Sequence, residues 1–184
     1  MDNKKRMVCP MRVAGFLDSK FRRLFHNPAK ILKPYIQKNM TVLDIGCGPG
    51  VFSIEIAKLL DGNGKVISVD MQEGMLEIIR EKIAGTSIEK NIVLCKCTQE
   101  SIGVRENVDF VLMFYMVHEV PDKERLFNEA LPLINKNGLL MIVEPGLVSA
   151  KEFNGMTGYI KARGFEEHGK LKIPLSKGIV LKKL

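Results

Sequence analysis

The chain has 184 residues, 46% of them hydrophobic and 27% charged, with a mean hydropathy of +0.02. That length suits one domain, and a compact fold of such a size buries roughly 70% of the surface its unfolded chain exposes. The apolar fraction excludes a disordered chain, and no apolar run approaches the roughly 20 residues of a membrane span. The N-terminal MDNKKRMVCP has charges but no apolar stretch behind them, so no secretory signal is read there and a cytoplasmic protein is expected. Cys9, Cys47, Cys95 and Cys97 lack the spacing of a disulfide framework or a zinc module. No histidine neighbours Cys95 and Cys97 in sequence, and no metal site is expected.

The formal net charge of +7 is unevenly spread. Residues 1–40 hold ten Lys and Arg against Asp2 and Asp18, a net +8, whereas residues 41–184 hold 18 basic and 19 acidic side chains. Within the basic segment, Val13, Phe16, Leu17, Phe21, Leu24 and Phe25 recur at helical spacing among Arg12, Lys20, Arg22 and Arg23. Residues 1–40 therefore read as a basic helical lid or extension. Such a face serves an acidic substrate, nucleic acid or a membrane surface, or it is the ordinary solvated face of a packed helix.

The pattern then alternates. Asn27–Pro28 is a helix start, with Asn as N-cap and Pro at the first position, for a helix running into Tyr35. Strands are predicted at Thr41–Ile45, Lys65–Val69, Ile92–Cys95, Val108–Phe114 and Leu139–Val143, the last entered through an Asn137–Gly138 turn. Helices are predicted at Val51–Leu60, Glu73–Ala84, Asp122–Ile134 and Ala150–Arg163, with closing strands around Phe165–Ile173 and Gly178–Lys182. Alternating strands and helices with near-continuous apolar strands imply an α/β fold, a mostly parallel sheet covered on both faces. Ligands in such sheets bind outside the carboxyl ends of the strands.

The first strand leads into VLDIGCGPG, where Gly46, Gly48 and Gly50 let the backbone turn sharply and approach a ligand. Asp70 ends the second strand twenty residues after Gly50, where an acid can bind both ribose hydroxyls of a nucleoside. A dinucleotide fingerprint would need glycine at position 51, which is Val51, and Asp44 precedes the turn where a pyrophosphate would be repelled. A carboxylate there suits a cation, and S-adenosylmethionine carries an ammonium and a sulfonium with no phosphate.

The arrangement resembles the class I S-adenosylmethionine-dependent methyltransferases, particularly the small-molecule and quinone-type branch, over about residues 28–184. The resemblance implies a Rossmann-like seven-stranded sheet of order 3-2-1-4-5-7-6 with strand 7 antiparallel, and a cofactor domain over residues 41–184. It matches Asp44, Gly46, Gly48 and Gly50 to the family's glycine loop, with Cys47 as a small residue within it. Asp70 corresponds to the ribose acid, Met71 to its apolar neighbour at the adenine, and Phe114 and Tyr115 fall where the chain passes the methionine end. Where many relatives carry an acid for the adenine amino group, this chain has Cys97, a poor acceptor. Adenine recognition then falls to backbone groups, Thr98 or Gln99.

The implied activity is methyl transfer from S-adenosylmethionine to a small-molecule acceptor, with positioning as the main catalytic device. The alternatives are an RNA or protein methyltransferase using the basic segment, and a non-catalytic cofactor-binding subunit. FYMVHEV after the fourth strand carries no base-methylation motif of the N-P-P-Y type. A general base is required only for a protonated acceptor. His118, Tyr115 and Glu119 are the candidates; alternatively His118 orders the loop or caps the next helix. Glu144, after the fifth strand, borders the substrate cavity or lies in a surface turn. Met113, Met116 and Met141 read as core.

Overall fold

A computed structural model describes residues 27–184, and the expected basic amphipathic helix before Asn27 lies outside them. The described chain opens with α1 (Pro28–Leu32), where the Asn27 side chain accepts the Lys30 N–H as the N-cap signal anticipates. The helix stops at Leu32 rather than reaching Tyr35: Lys33 still has helical backbone, but Pro34 has no N–H to donate to the Lys30 carbonyl. Then follow β1 (Thr41–Ile45), α2 (Val51–Leu59), β2 (Lys65–Asp70), α3 (Glu73–Ile83), β3 (Ile92–Lys96) and β4 (Val108–Phe114). The C-terminal half holds α4 (Lys123–Leu133), β5 (Ile134–Pro145), α5 (Ala150–Lys161), β6 (Phe165–Leu171) and β7 (Ser176–Lys183).

The seven strands form one sheet in the order β3-β2-β1-β4-β5-β7-β6, parallel except for β7, which runs antiparallel to both β5 and β6. This is the expected topology. One local expectation is corrected: Asn137–Gly138 does not separate α4 from a short strand but interrupts a longer one. Ile134 already pairs with Val108, the register shifts, and Leu139 then pairs with Phe110. Asn137 takes a φ of 64° within this irregularity, an asparagine-tolerated conformation that absorbs the extra residues. Lys183 of β7 closes the far end of α4, donating to the carbonyls of Leu131, Pro132 and Ile134.

Strand alternation divides the core between two faces. Leu43, Ile45, Val111, Met113, Leu140 and Ile142 pack under α4 and α5, against Phe127, Ala130, Phe153 and Ile160. Val42, Phe110, Leu112, Met141 and Val143 face Leu32, Ile56 and Ile79 of α1, α2 and α3, with Leu60 at the end of α2. Asp44 shares the second face by the same period of two, so the only carboxylate of β1 points toward α2. No described helix is long and apolar enough to cross a membrane.

Candidate active site

The carboxyl ends of β1, β2 and β4, with the loop after β3 and the start of α4, line a half-open cavity of about 380 Å³. Asp44, Gly46, Cys47, Gly48, Asp70, Met71, Cys97, Thr98, Phe114, Tyr115, His118 and Glu119 all line it. Gly50 does not line it. Its left-handed φ of 82° starts α2, and a Cβ there would meet Ile79 Cγ1 at 2.6 Å. Gly46 has a φ of 71°, and a Cβ would lie 2.8 Å from Met116 Cβ. Gly48 is different: a Cβ would meet nothing within 4 Å, so this glycine faces open cavity. Lys82 of α3 holds the loop from behind by donating to the Pro49 carbonyl at 2.9 Å.

Two carboxylates flank the loop. Asp44 is 2% exposed, and burial pushes its carboxyl up to about 7 from 3.8, against the opposing Ser53 hydroxyl bond of 2.6 Å. Asp70 Oδ2 accepts the Gly48 N–H at 2.9 Å and Oδ1 accepts the Gln72 N–H at 2.8 Å, so the acid at the end of β2 braces the glycine loop. Burial raises the Asp70 carboxyl too, with the Gln72 and Gly48 amides opposing. A phosphate would meet both acids, whereas a cation would favour their ionised forms.

Beyond β3, Cys97 donates its backbone N–H to the Asp70 carbonyl at 3.1 Å, and burial followed by Asp70 pushes its thiol up to about 11. Thr98 Oγ1 accepts the N–H groups of Glu100 and Ser101, both at 3.2 Å. Its hydroxyl oxygen thus shapes the loop. Glu129 of α4 fixes the far end, accepting the Ser101 hydroxyl at 2.6 Å and the Ile102 N–H at 3.0 Å.

The turn after β4 carries the candidate bases. Phe114 stacks between Phe52 and Tyr115, with ring centroids 4.2 and 4.6 Å away. Tyr115 has a φ of 57°, strained for an aromatic residue, and its hydroxyl bonds the Ser176 hydroxyl at the start of β7. Ser176 donates its own proton to the Pro174 carbonyl at 3.0 Å, which makes Tyr115 the donor in that pair. His118 sits on a single 3-10 turn, Val117–Glu119, with Nε2 3.9 Å from Glu119 Oε1. Glu144 fits neither expected place: it is 1% exposed, sits beneath this turn and bonds His118 Nδ1 at 2.7 Å. Met113 and Met141 are core as expected, but Met116 reaches the cavity.

Sequence reading missed Ser53, Ser176 and Glu129. Ser53 had a signal, a small hydroxyl in the first turn of α2, nine residues after Asp44. Ser176 and Glu129 act across 61 and 28 residues, beyond any local pattern.

A methyltransferase domain family model matches residues 36–168. The ubiquinone/menaquinone biosynthesis C-methyltransferase UbiE of Pasteurella multocida is 26% identical over 110 residues, 59% of this chain and 41% of that protein. The UbiE of Escherichia coli K12 is 24% identical over the same 110-residue length, 44% of its own chain. The chain thus spans less than half the length of these curated relatives. Among solved structures, a SAM-dependent methyltransferase from Aquifex aeolicus superposes with a TM-score of 0.84 at 22% identity, covering 96% of this chain and 100% of that one. That likeness speaks to the fold, while the family match spans most of the sheet and the cavity residues. The chain belongs to the class I S-adenosylmethionine-dependent methyltransferases.

Proposed function

We propose that the chain transfers a methyl group from S-adenosylmethionine to a small-molecule acceptor. The observation that carries this reading is the open space at Gly48 between two buried carboxylates. A ligand of nucleoside size fits a cavity of about 380 Å³, and the acids select a cationic one. In this reading Asp44, with Gly46, Cys47, Gly48 and Gly50, shapes the methionine end. Asp70 holds the ribose, Met71 packs on the adenine, and Cys97 and Thr98 border it. Phe114 closes the side facing α2. When bound, the cofactor supplies an electrophilic methyl on a positively charged sulfur. The protein aligns the acceptor and excludes water, a contribution of roughly 7–11 kcal/mol in well-oriented systems.

A small acceptor is favoured by the remaining wall. His118, Glu119 and Arg125 border the same cavity, whose size suits a small polar molecule better than a polymer. The quinone-pathway activity printed for the UbiE relatives is consistent with that class. The test is calorimetric titration with S-adenosylmethionine, then incubation of methyl-labelled cofactor with host extract and identification of the labelled product. Heat on titration and label in a small molecule are expected. No heat at millimolar cofactor would end the reading, and label in RNA would redirect it.

A further inference from the structure

Glu144 ends the buried run of β5, and a carboxylate so enclosed needs internal donors. It has three, all from the turn after β4. Val117 N–H reaches Oε1 at 3.1 Å, His118 N–H reaches Oε2 at 3.1 Å, and His118 Nδ1 lies 2.7 Å from Oε2. Oε2 is thus already an acceptor for the backbone, and the ring contact is completed by an N–H donated from Nδ1. A neutral imidazole protonated at Nδ1 carries its lone pair on Nε2.

The other candidates on this wall are engaged differently. Tyr115 donates its hydroxyl proton to Ser176, and Glu119 is a half-exposed side chain on the same turn. Asp122 and Arg125, at the start of α4, lie 3.7 Å from each other, and Glu129 farther along α4 is bonded to Ser101 and Ile102. Among the described residues, His118 alone combines a place on the cavity with a ring fixed from behind by a buried carboxylate.

Building on the methyl-transfer reading, we infer that His118 and Glu144 form a proton-accepting pair. Glu144 is the positioning residue, holding the ring through Nδ1. Nε2 takes a proton from the acceptor, whose nucleophilic atom is therefore one that carries a proton it must lose, such as a hydroxyl or an acidic ring carbon. The balance is complete without another reactant. The acceptor's electron pair forms the new bond to the methyl carbon, the pair of the broken methyl–sulfur bond stays on sulfur, and the proton passes to Nε2. The positive charge then rests on the imidazolium beside Glu144.

The experiment starts with the full chain carrying ¹⁵N-labelled histidine. Long-range ¹H–¹⁵N spectra should show the His118 ring, assigned by its loss in His118→Asn, as the Nδ1–H tautomer. Glu144→Gln should disturb that pattern. His118→Asn is the informative variant for chemistry: its amide N–H can still serve Glu144, so the turn is kept while Nε2 is lost. Label transfer from methyl-labelled S-adenosylmethionine into host extract should fall at least ~10²-fold in this variant at saturating cofactor. Calorimetric cofactor binding should persist. A ring protonated at Nε2 in the unmodified chain, or a transfer rate within about threefold in His118→Asn, overturns the pair. An unmodified chain that gives no heat with the cofactor sinks the methyl-transfer reading and the pair with it. Heat with the wrong tautomer sinks the pair alone.

Discussion

Alanine at Gly50 and alanine at Gly48 should separate folding from binding within one loop. Both glycines have left-handed backbone, with φ of 82° and 52°, and a side chain in that region costs about 1–2 kcal/mol. The stiffer unfolded chain of the alanine variants returns about 0.4–1 kcal/mol. At Gly48 nothing else is added, because the new Cβ meets no atom within 4 Å. At Gly50 the Cβ would sit 2.6 Å from Cγ1 of Ile79, a fully buried side chain with no room to yield. Overpacking of that kind adds about 1–3 kcal/mol. Gly50→Ala should therefore lose about 1–4.5 kcal/mol and Gly48→Ala about 0–1.5 kcal/mol, the difference of about 1–3 kcal/mol being the overpacking at Ile79. For a chain of this size each kcal/mol moves the melting temperature by about 2–4 °C, so thermal unfolding followed by circular dichroism resolves the two. Cofactor affinity should show the reverse order once measured well below each melting point, since only the Gly48 methyl enters the cavity. Equal melting temperatures for the two variants, or a Gly50→Ala protein within about 2 °C of the parent, would refute the argument.

Three further outcomes are expected. Folded Asp44 keeps its proton up to about pH 7 whereas the unfolded group releases it near 3.8, so the parent should lose stability as pH rises through that window. Urea unfolding of Asp44→Asn should show that slope flattened by about 2 kcal/mol between about pH 5 and pH 8, and an unchanged slope rejects it. Asp70→Ala strips the acceptor from the Gly48 and Gln72 amides, and should cost about 1–3 kcal/mol in urea unfolding along with most of the cofactor heat. Undiminished binding would remove Asp70 from the site. The Cys97 thiol, pushed up to about 11 from 9.0, should react with iodoacetamide at about pH 8 roughly 100-fold more slowly than a model cysteine peptide. Peptide mass spectrometry reads the rate, and rapid labelling contradicts the burial described.

The strands were the most legible part of the fold, because β1 and β4 are buried on both faces and announce themselves as unbroken apolar runs. Thr41–Ile45 and Val108–Phe114 are found with the bounds expected. Asn137–Gly138 misled because a turn signature marks local backbone freedom, and pairing with β4 and β7 decides whether that freedom ends a strand or kinks it. In the site, the cavity-lining glycines and Asp70 were legible from spacing, since the strand-turn-helix unit brings them together within one stretch of chain. Glu144 was not. Its role depends on the turn after β4 folding over the end of β5, and an acid after an apolar run is equally compatible with a solvent-facing turn.

The missing side chain at Gly46 has a mechanical consequence. Met116 occupies the volume a Cβ would need there, so the segment carrying His118 rests directly on the backbone of the first glycine. The two halves of the cavity thus meet in a close contact. In the proposed function, a displacement of the His118 segment would be passed to the glycine loop, and thermodynamic reciprocity requires the reverse effect of equal size. In that reading, acceptor and cofactor should accordingly bind with linked affinities, through the Gly46–Met116 contact on the wall they share.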